Sequence, residues 1–548
     1  MPEVKSADLC QGQHHHFLRY HQVPPHARHE AHITASYPLP AGCTAPNARS
    51  ALNYLVRRHE VLRTVYDLQA GGWPRQRVMA PAPLRIHEVA AADAASAAEV
   101  IRRLVQDPFD ISREWPIRVC LVTGRGVLNR MHLVFNHLAF DDISLDLLSA
   151  DLDALLAART DGRPVTLPPV EYQPVDLARY EASRPAAEVA GHLEHWRAEV
   201  SRLPADVYAR RRRRPAPGLA HSASFTAPAL LSAARAVAAR NRVWPSAVHL
   251  AAYAVTMAAY TGEPLVAHRL YTSQRDASGF RSVLTCMSYP TLVTSDLSGD
   301  PAFSEVVRRA AGRVRLSMQH AHVPHDQVVE MIAREGARRG RELRVSSELN
   351  FLDNAPRSCR TWRDRFVWNA APAEWAAAGS DIYFRIYEWS DGITLALQAL
   401  HEVMDRDAVE LFLRGYARLL EAHRDAAADL RVSQAAELLG FPAPSEPSPD
   451  RAAGGRPAPQ ASADRVPAEA ALAERALADA VAAANGLDDV DMSLTYVLAG
   501  GRALRLPHVF AVLRDQRWDG VDLRDLLGIR PLRAVAAMMR RTPRAGAR

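Results

Sequence analysis

The feature that most restricts the fold is a change of hydrophobic period around residue 137. Ile117 to Val122 and Leu128 to Phe135 are apolar, β-prone runs, the pattern of buried strands. After them Ile143, Leu147, Leu148, Leu152, Leu155 and Leu156 recur at helical spacing, with Asp142 or Ser144 available as N-cap. Between the two patterns lies Asn136-His137-Leu-Ala-Phe-Asp141-Asp142. His137 therefore belongs where a strand ends and a short loop begins. A strand holds its backbone while its side chain can face a cavity, which suits a general base.

At 548 residues the chain has room for three or four domain-sized units, and a hydrophobic content of 48% can fill large cores. No run approaches about 18 apolar residues, so no membrane partner is expected. The segment MPEVKSADLCQGQHHH has no apolar core of a secretion signal. Cys10, Cys43, Cys120, Cys286 and Cys359 are scattered, without a CxxC pair. That usage predicts a reducing cytoplasm, and neither a disulfide framework nor a metal site.

The net charge is +6 and the pI about 9.2, yet no nucleic-acid partner is expected. Lys5 is the only lysine, so the Arg and Ala excess reads as genome composition. The run Arg210 to Arg214 precedes Pro215-Ala-Pro217 and has no interleaved aromatic residues. It is read as a solvated loop. His14, His15 and His16 are read as a surface tract, short of the ligands a metal needs.

The segment around His137 resembles the His-His-x-x-x-Asp-Gly signature of nonribosomal peptide synthetase condensation domains, which are chloramphenicol-acetyltransferase-like. His137 matches the second His and Asp141 the Asp, while Asn136 replaces the first His and Asp142 the Gly. Other blocks follow in the family's order. They are Arg58-His59-Glu60-Val61-Leu62-Arg63-Thr64 closing a helix expected over 49 to 64, Asp107-Pro-Phe-Asp110, Tyr289 to Pro301, His320 to His325, and Leu343 to Asn354. The resemblance covers roughly residues 10 to 430. It implies an α/β fold of two lobes in a V, residues 1–185 and 186–440, with a tunnel between them reaching His137 from both faces. It places His137 at the reaction centre and Asp141 as the brace of its loop. It implies that Arg275, after a strand from Leu265 to Thr272, pairs with Asp141. Tyr289 or Pro290 replaces an Asn beside the tunnel. Asn136 is expected to keep a hydrogen-bonding role. Asp142 brings a carboxylate near His137, and it is expected to take the Gly conformation only at a cost.

Residues 441–467 are rich in Pro, Ala and Ser and read as a linker. Helices are expected at 468–485, about 503–516 and 531–540. Tyr496-Val-Leu-Ala-Gly500-Gly501-Arg502-Ala503-Leu504 resembles the Phe-x-x-Leu-Gly-Gly-Asp-Ser-Leu marker of peptidyl carrier domains. Ala503 stands where the Ser that carries phosphopantetheine would be, so residues 468–548 are implied to be a vestige or a contact surface. No Gly-rich phosphate loop suggests ATP use. The implied function is a free-standing condensation enzyme joining a carrier-bound acyl thioester to an amine. Its partners would be acyl- or peptidyl-carrier proteins in trans and a small-molecule amine acceptor. Its only cofactor would be phosphopantetheine presented by those carriers. Two alternatives stand beside it. One is an acyltransferase of the same fold using a CoA thioester or a soluble acceptor. The other is a catalytically silent scaffold in a synthetase assembly, favoured by Asp142 and Ala503.

Overall fold

The computed structural model describes residues 2–68, 73–91, 94–124, 127–213, 216, 218–275, 279–353, 357–361, 363–370, 380–425, 427–445 and 467–542. Most of the expected linker at 441–467 therefore lies outside the described residues.

The first lobe runs β1 (Glu3–Asp8), α1 (Gln11–Gln22), β2 (His32–Pro38), α2 (Ala45–Arg58), β3 (Thr64–Leu68), β4 (Pro74–Met79), β5 (Ile86–Ala91), α3 (Ala94–Gln106), β6 (Ile117–Gly124), β7 (Val127–Asn136), α4 (Asp142–Thr160) and α5 (Pro174–Ser183). Its main sheet has the order β2-β7-β6-β5, with β7 antiparallel to both neighbours. The apolar run on β7 is buried because the strand is central. Leu133, Val134 and Phe135 are all shielded from solvent. Helix α2 begins where Thr44 caps the Asn47 N–H and stops at Arg58. Glu60–Arg63 form a separate 3-10 turn, so the helix expected over 49 to 64 is shorter than its apolar pattern.

The second lobe runs α6 (Ala186–Ser201), β8 (Ala220–Ala227), α7 (Ala229–Asn241), α8 (Pro245–Thr261), β9 (Leu265–Thr272), β10 (Tyr289–Asp296), α9 (Phe303–Gln319), α10 (His325–Arg339), β11 (Ser347–Asp353), β12 (Arg365–Trp368), β13 (Ile382–Trp389), β14 (Gly392–Leu400), α11 (Arg406–Ala422) and α12 (Val432–Leu439). One seven-stranded sheet, β10-β9-β11-β13-β14-β8-β12, carries this lobe. Helix α8 is apolar on every side and buried along almost its whole length, as a helix surrounded by core must be. Pro245 opens it and Gly262, at φ 74°, ends it.

The arginine run is not a solvated loop. Arg212 is buried and bridges Asp206 and Asp381, the latter at 2.6 Å. Arg211 lies over the Tyr260 ring at 4.5 Å, and Arg213 reaches Asp405 at 2.7 Å. Asp206 is six positions from Arg212, but Asp381 and Asp405 lie 169 and 192 positions from their arginines, beyond the reach of local sequence. Arg214 lies outside the described residues.

After residue 467 come α13 (Pro467–Asn485), α14 (Leu506–Asp515), α15 (Leu523–Leu527) and α16 (Leu532–Ala536). They close around Tyr496, Leu504, Leu513, Leu526 and Val535, all buried. This unit shares one contiguous hydrophobic cluster with the first lobe. Among the described residues no helix is long and apolar enough to cross a membrane.

Candidate active site

His137 follows the last residue of β7, and its N–H donates to Ala31 O at 3.3 Å. Asn136 is buried, and its Oδ1 accepts the Leu138 N–H at 2.9 Å, which fixes the first bend of the loop. Asp141, rather than Asp142 or Ser144, is the N-cap of α4, accepting the Ser144 N–H at 2.8 Å. Asp142 is the first residue of the helix and is exposed. It is not among the residues with left-handed φ, so the backbone cost expected for replacing Gly does not arise here.

Across the lobe junction Arg275 Nη2 donates to Asp141 Oδ1 at 2.7 Å, with both side chains about 95% buried or more. The same guanidinium bonds Ser144 Oγ and the carbonyls of Arg281, Val283 and Thr285 at 2.8–3.1 Å. Asp141 Oδ2 takes the Met287 N–H at 3.1 Å. The pair implied by the resemblance is thus present, and it binds the loop after His137 to residues 281–287 of the second lobe.

That segment brings Cys286 to His137, with Sγ 3.7 Å from Nδ1. Cys286 is fully buried, and burial with the nearby Asp141 charge holds the thiol far above its ordinary value. The His16 ring lies on the His137 ring, 4.2 Å between centroids and 20° between planes. His15 is edge-on to His16 at 4.8 Å, and His15 Nδ1 is 3.1 Å from His325 Nε2. His14 Nδ1 is 3.0 Å from Asp326. The surface reading of His14, His15 and His16 is therefore wrong. Each is under a tenth exposed, on a helix seated between the lobes. Burial, and then the neighbouring imidazoles and arginines, hold His15 and His16 well below the ordinary histidine range, so they are neutral. Burial also lowers His14, but the Asp326 carboxylate outweighs it, and the net shift is upward.

His16, His137 and Cys286 offer ligand atoms within 4.8 Å of one another. Tyr289 is buried, and its hydroxyl donates to Gln11 Oε1 at 3.1 Å. It lines a small cavity of about 110 Å³ with Gly12, Glu181 and Met287. Ala503 is buried in the C-terminal unit, and its N–H donates to Glu330 of α10 at 2.9 Å.

Sequence reasoning missed α1 and Cys286. One signal was available for the helix: residues 9–18 contain no Asp, Glu, Lys or Arg.

The site is thus built where two α/β lobes meet at a strand-end histidine. A model of the condensation domain matches residues 23–422, and the chain belongs to that family, whose members catalyse amide-bond formation. Chondramide synthase cmdD of Chondromyces crocatus is 30% identical over 304 residues, covering 52% of this chain and 8% of that protein. Phosphinothricin tripeptide synthetase PhsC of Streptomyces viridochromogenes is 33% identical over 242 residues, covering 42% and 22%. The chain thus spans less than a quarter of these two relatives' length. Two solved structures share the fold. The X-domain in complex with OxyB, from teicoplanin biosynthesis, matches at TM-score 0.63 and 22% identity over 79% of this chain and 96% of its own. SgcC5 of Streptomyces globisporus matches at 0.57 and 22% over 77% and 100%.

Proposed function

We propose that the chain is a free-standing condensation enzyme of natural-product biosynthesis, joining an acyl thioester on a carrier protein to an amine, with His137 at the reaction centre. The observation that carries this reading is the lock on the His137 loop: Arg275, Asp141 and the Met287 N–H hold it to the second lobe. A general base needs a fixed position more than a large pKa shift.

The hydrogen bonds around His137 favour one tautomer. The Cys286 thiol donates to Ser288 O at 3.6 Å, so its sulfur accepts from His137 Nδ1–H. Nε2 is then the nitrogen with a lone pair, available to orient the amine or take its proton as it attacks the thioester carbonyl. Phosphopantetheine belongs to the partner carriers, since residue 503 has no hydroxyl. The cytoplasm, where such carriers work, is the proposed location.

A second reading, the silent scaffold, is supported by the His16 ring lying on His137. The reading with a soluble acceptor is supported by SgcC5, which was solved with a naphthyl ethanediol and sucrose. Metabolite profiling of the native producer strain separates enzyme from scaffold. His137→Ala is compared with a full deletion, with protein level checked. Loss of the same amide or ester from both strains is expected, and the lost bond names the reaction. Loss from the deletion alone makes the chain a scaffold.

A further inference from the structure

Two of the residues that depart from the carrier marker, Arg502 and Ala503, hold the C-terminal unit against α10. Arg502 Nε donates to Glu330 Oε1 at 3.0 Å, and its Nη2 is 3.7 Å from Asp326 Oδ2. The Ala503 N–H shares the same Glu330 oxygen. Glu330 and Asp326 are 2% and 1% exposed, and Ala503 is fully buried. From the first lobe, Trp73 presents its ring to Arg505 at 5.0 Å and Arg502 at 5.9 Å. Farther along α10, a Cβ at Gly336 would lie 3.4 Å from Ile529 Cγ2. The unit is therefore seated on both lobes.

The marker's own residues would not fit this seat. An Asp at 502 would face two buried carboxylates. A Ser at 503 would begin its arm from a buried atom, with Glu330 directly against the backbone. Arginine instead neutralises the acidic pair, and alanine fits the closed contact. Directly behind the seat, Asp326 holds His14, the neighbour of His15 and His16, which in turn lies on His137.

We infer that the C-terminal unit is a fixed stopper on the α10 face of the histidine cluster, closing that face to any carrier protein. This rests on the condensation reading. The donor is the acyl thioester on its carrier. The amine nitrogen attacks its carbonyl, the C–N bond forms and the C–S bond breaks. The amine proton passes by way of His137 to the departing thiolate, which leaves as the carrier's free thiol.

The test locks the seat covalently. Arg502→Cys and Glu330→Cys are combined with Cys359→Ser in the full chain and joined by a short bismaleimide. Wild-type, unlocked and locked chains are added to a cell-free extract of the producer strain lacking the gene, and the missing metabolite is measured. The locked chain is expected to restore it within about threefold of the unlocked variant. Restoration by the unlocked chain alone shows that the unit must leave its seat, and overturns the inference. Failure of the wild-type chain itself sinks the condensation reading, and the inference with it. An independent check is Arg502→Asp, which is expected to raise the radius of gyration in X-ray scattering, with Arg502→Glu/Glu330→Arg restoring it. A wild-type chain already as extended as Arg502→Asp also overturns the stopper.

Discussion

Replacing Arg275 with Met tests the lock at the lobe junction. The guanidinium binds one carboxylate, one hydroxyl and three carbonyls, and of these partners Asp141, Ser144, Val283 and Thr285 are buried. Removing one partner of a buried pair costs about 3–5 kcal/mol. Asp141 keeps the N–H groups of Ser144 and Met287, so the carboxylate is not stripped bare and the lower end, about 3 kcal/mol, is expected. At about 1.4 kcal/mol per tenfold, local opening becomes about a hundredfold more frequent. Hydrogen exchange reads this directly at the Ser144 and Met287 amides, both of which donate to Asp141. Arg275→Lys should lose nearly as much, because one ammonium cannot span Asp141 and the carbonyls of Arg281, Val283 and Thr285 together. A change below about tenfold at those amides in Arg275→Met would refute the lock.

Gly12→Ala should unseat α1. The added Cβ would lie 2.1 Å from the Cys286 carbonyl oxygen, a backbone atom that cannot swing away. Overpacking of this kind costs about 1–3 kcal/mol, and a lower melting temperature with loss of product formation is expected; an unchanged melting temperature would contradict the packing. The His14–Asp326 pair makes stability depend on pH. His14 is raised above 6.5, so its contribution is complete below pH 6.5 and fades as pH climbs through the folded value. Asp326 is lowered below 3.8, chiefly against burial and by its bond to His14, so its contribution fades only as pH falls through that lower value. The gap in melting temperature between wild type and Asp326→Asn should be widest between pH 3.8 and 6.5. A gap that stays flat from about pH 4 to pH 8 removes the pair from the account.

The parts of the fold written in local pattern were readable. β6 and β7 follow from two apolar runs, and α4 from helical spacing. The pairing of Asp141 with Arg275 came from resemblance, since nothing in either residue's neighbourhood selects the other across 134 positions. The histidine tract shows the limit of composition. Three imidazoles in a row look hydrophilic, yet an uncharged ring is buried at little cost once its nitrogens find partners. Those partners, Asp326, His325 and Ser288 O, lie 272 to 312 positions along the chain. Arg212 was misread for the same reason. Asp206 is six positions away, but Asp381 and Glu402 belong to distant segments, so a run of arginines looked free when it is a staple.

Helix α1 has a consequence for the order of assembly. It belongs to the first lobe by sequence, but His14 and His15 meet their partners only when α10 exists, 312 and 310 positions later. At about 5–20 residues per second, a ribosome needs about 15–60 s to cover that distance. During that time a helix with nine buried residues lacks its partners from the second lobe. Contacts of such long range are the slow ones, so the region around His137 is among the last to form. A fragment cut at residue 185 would contain His137, Asp141 and the whole of α1, and still lack the wall that holds them.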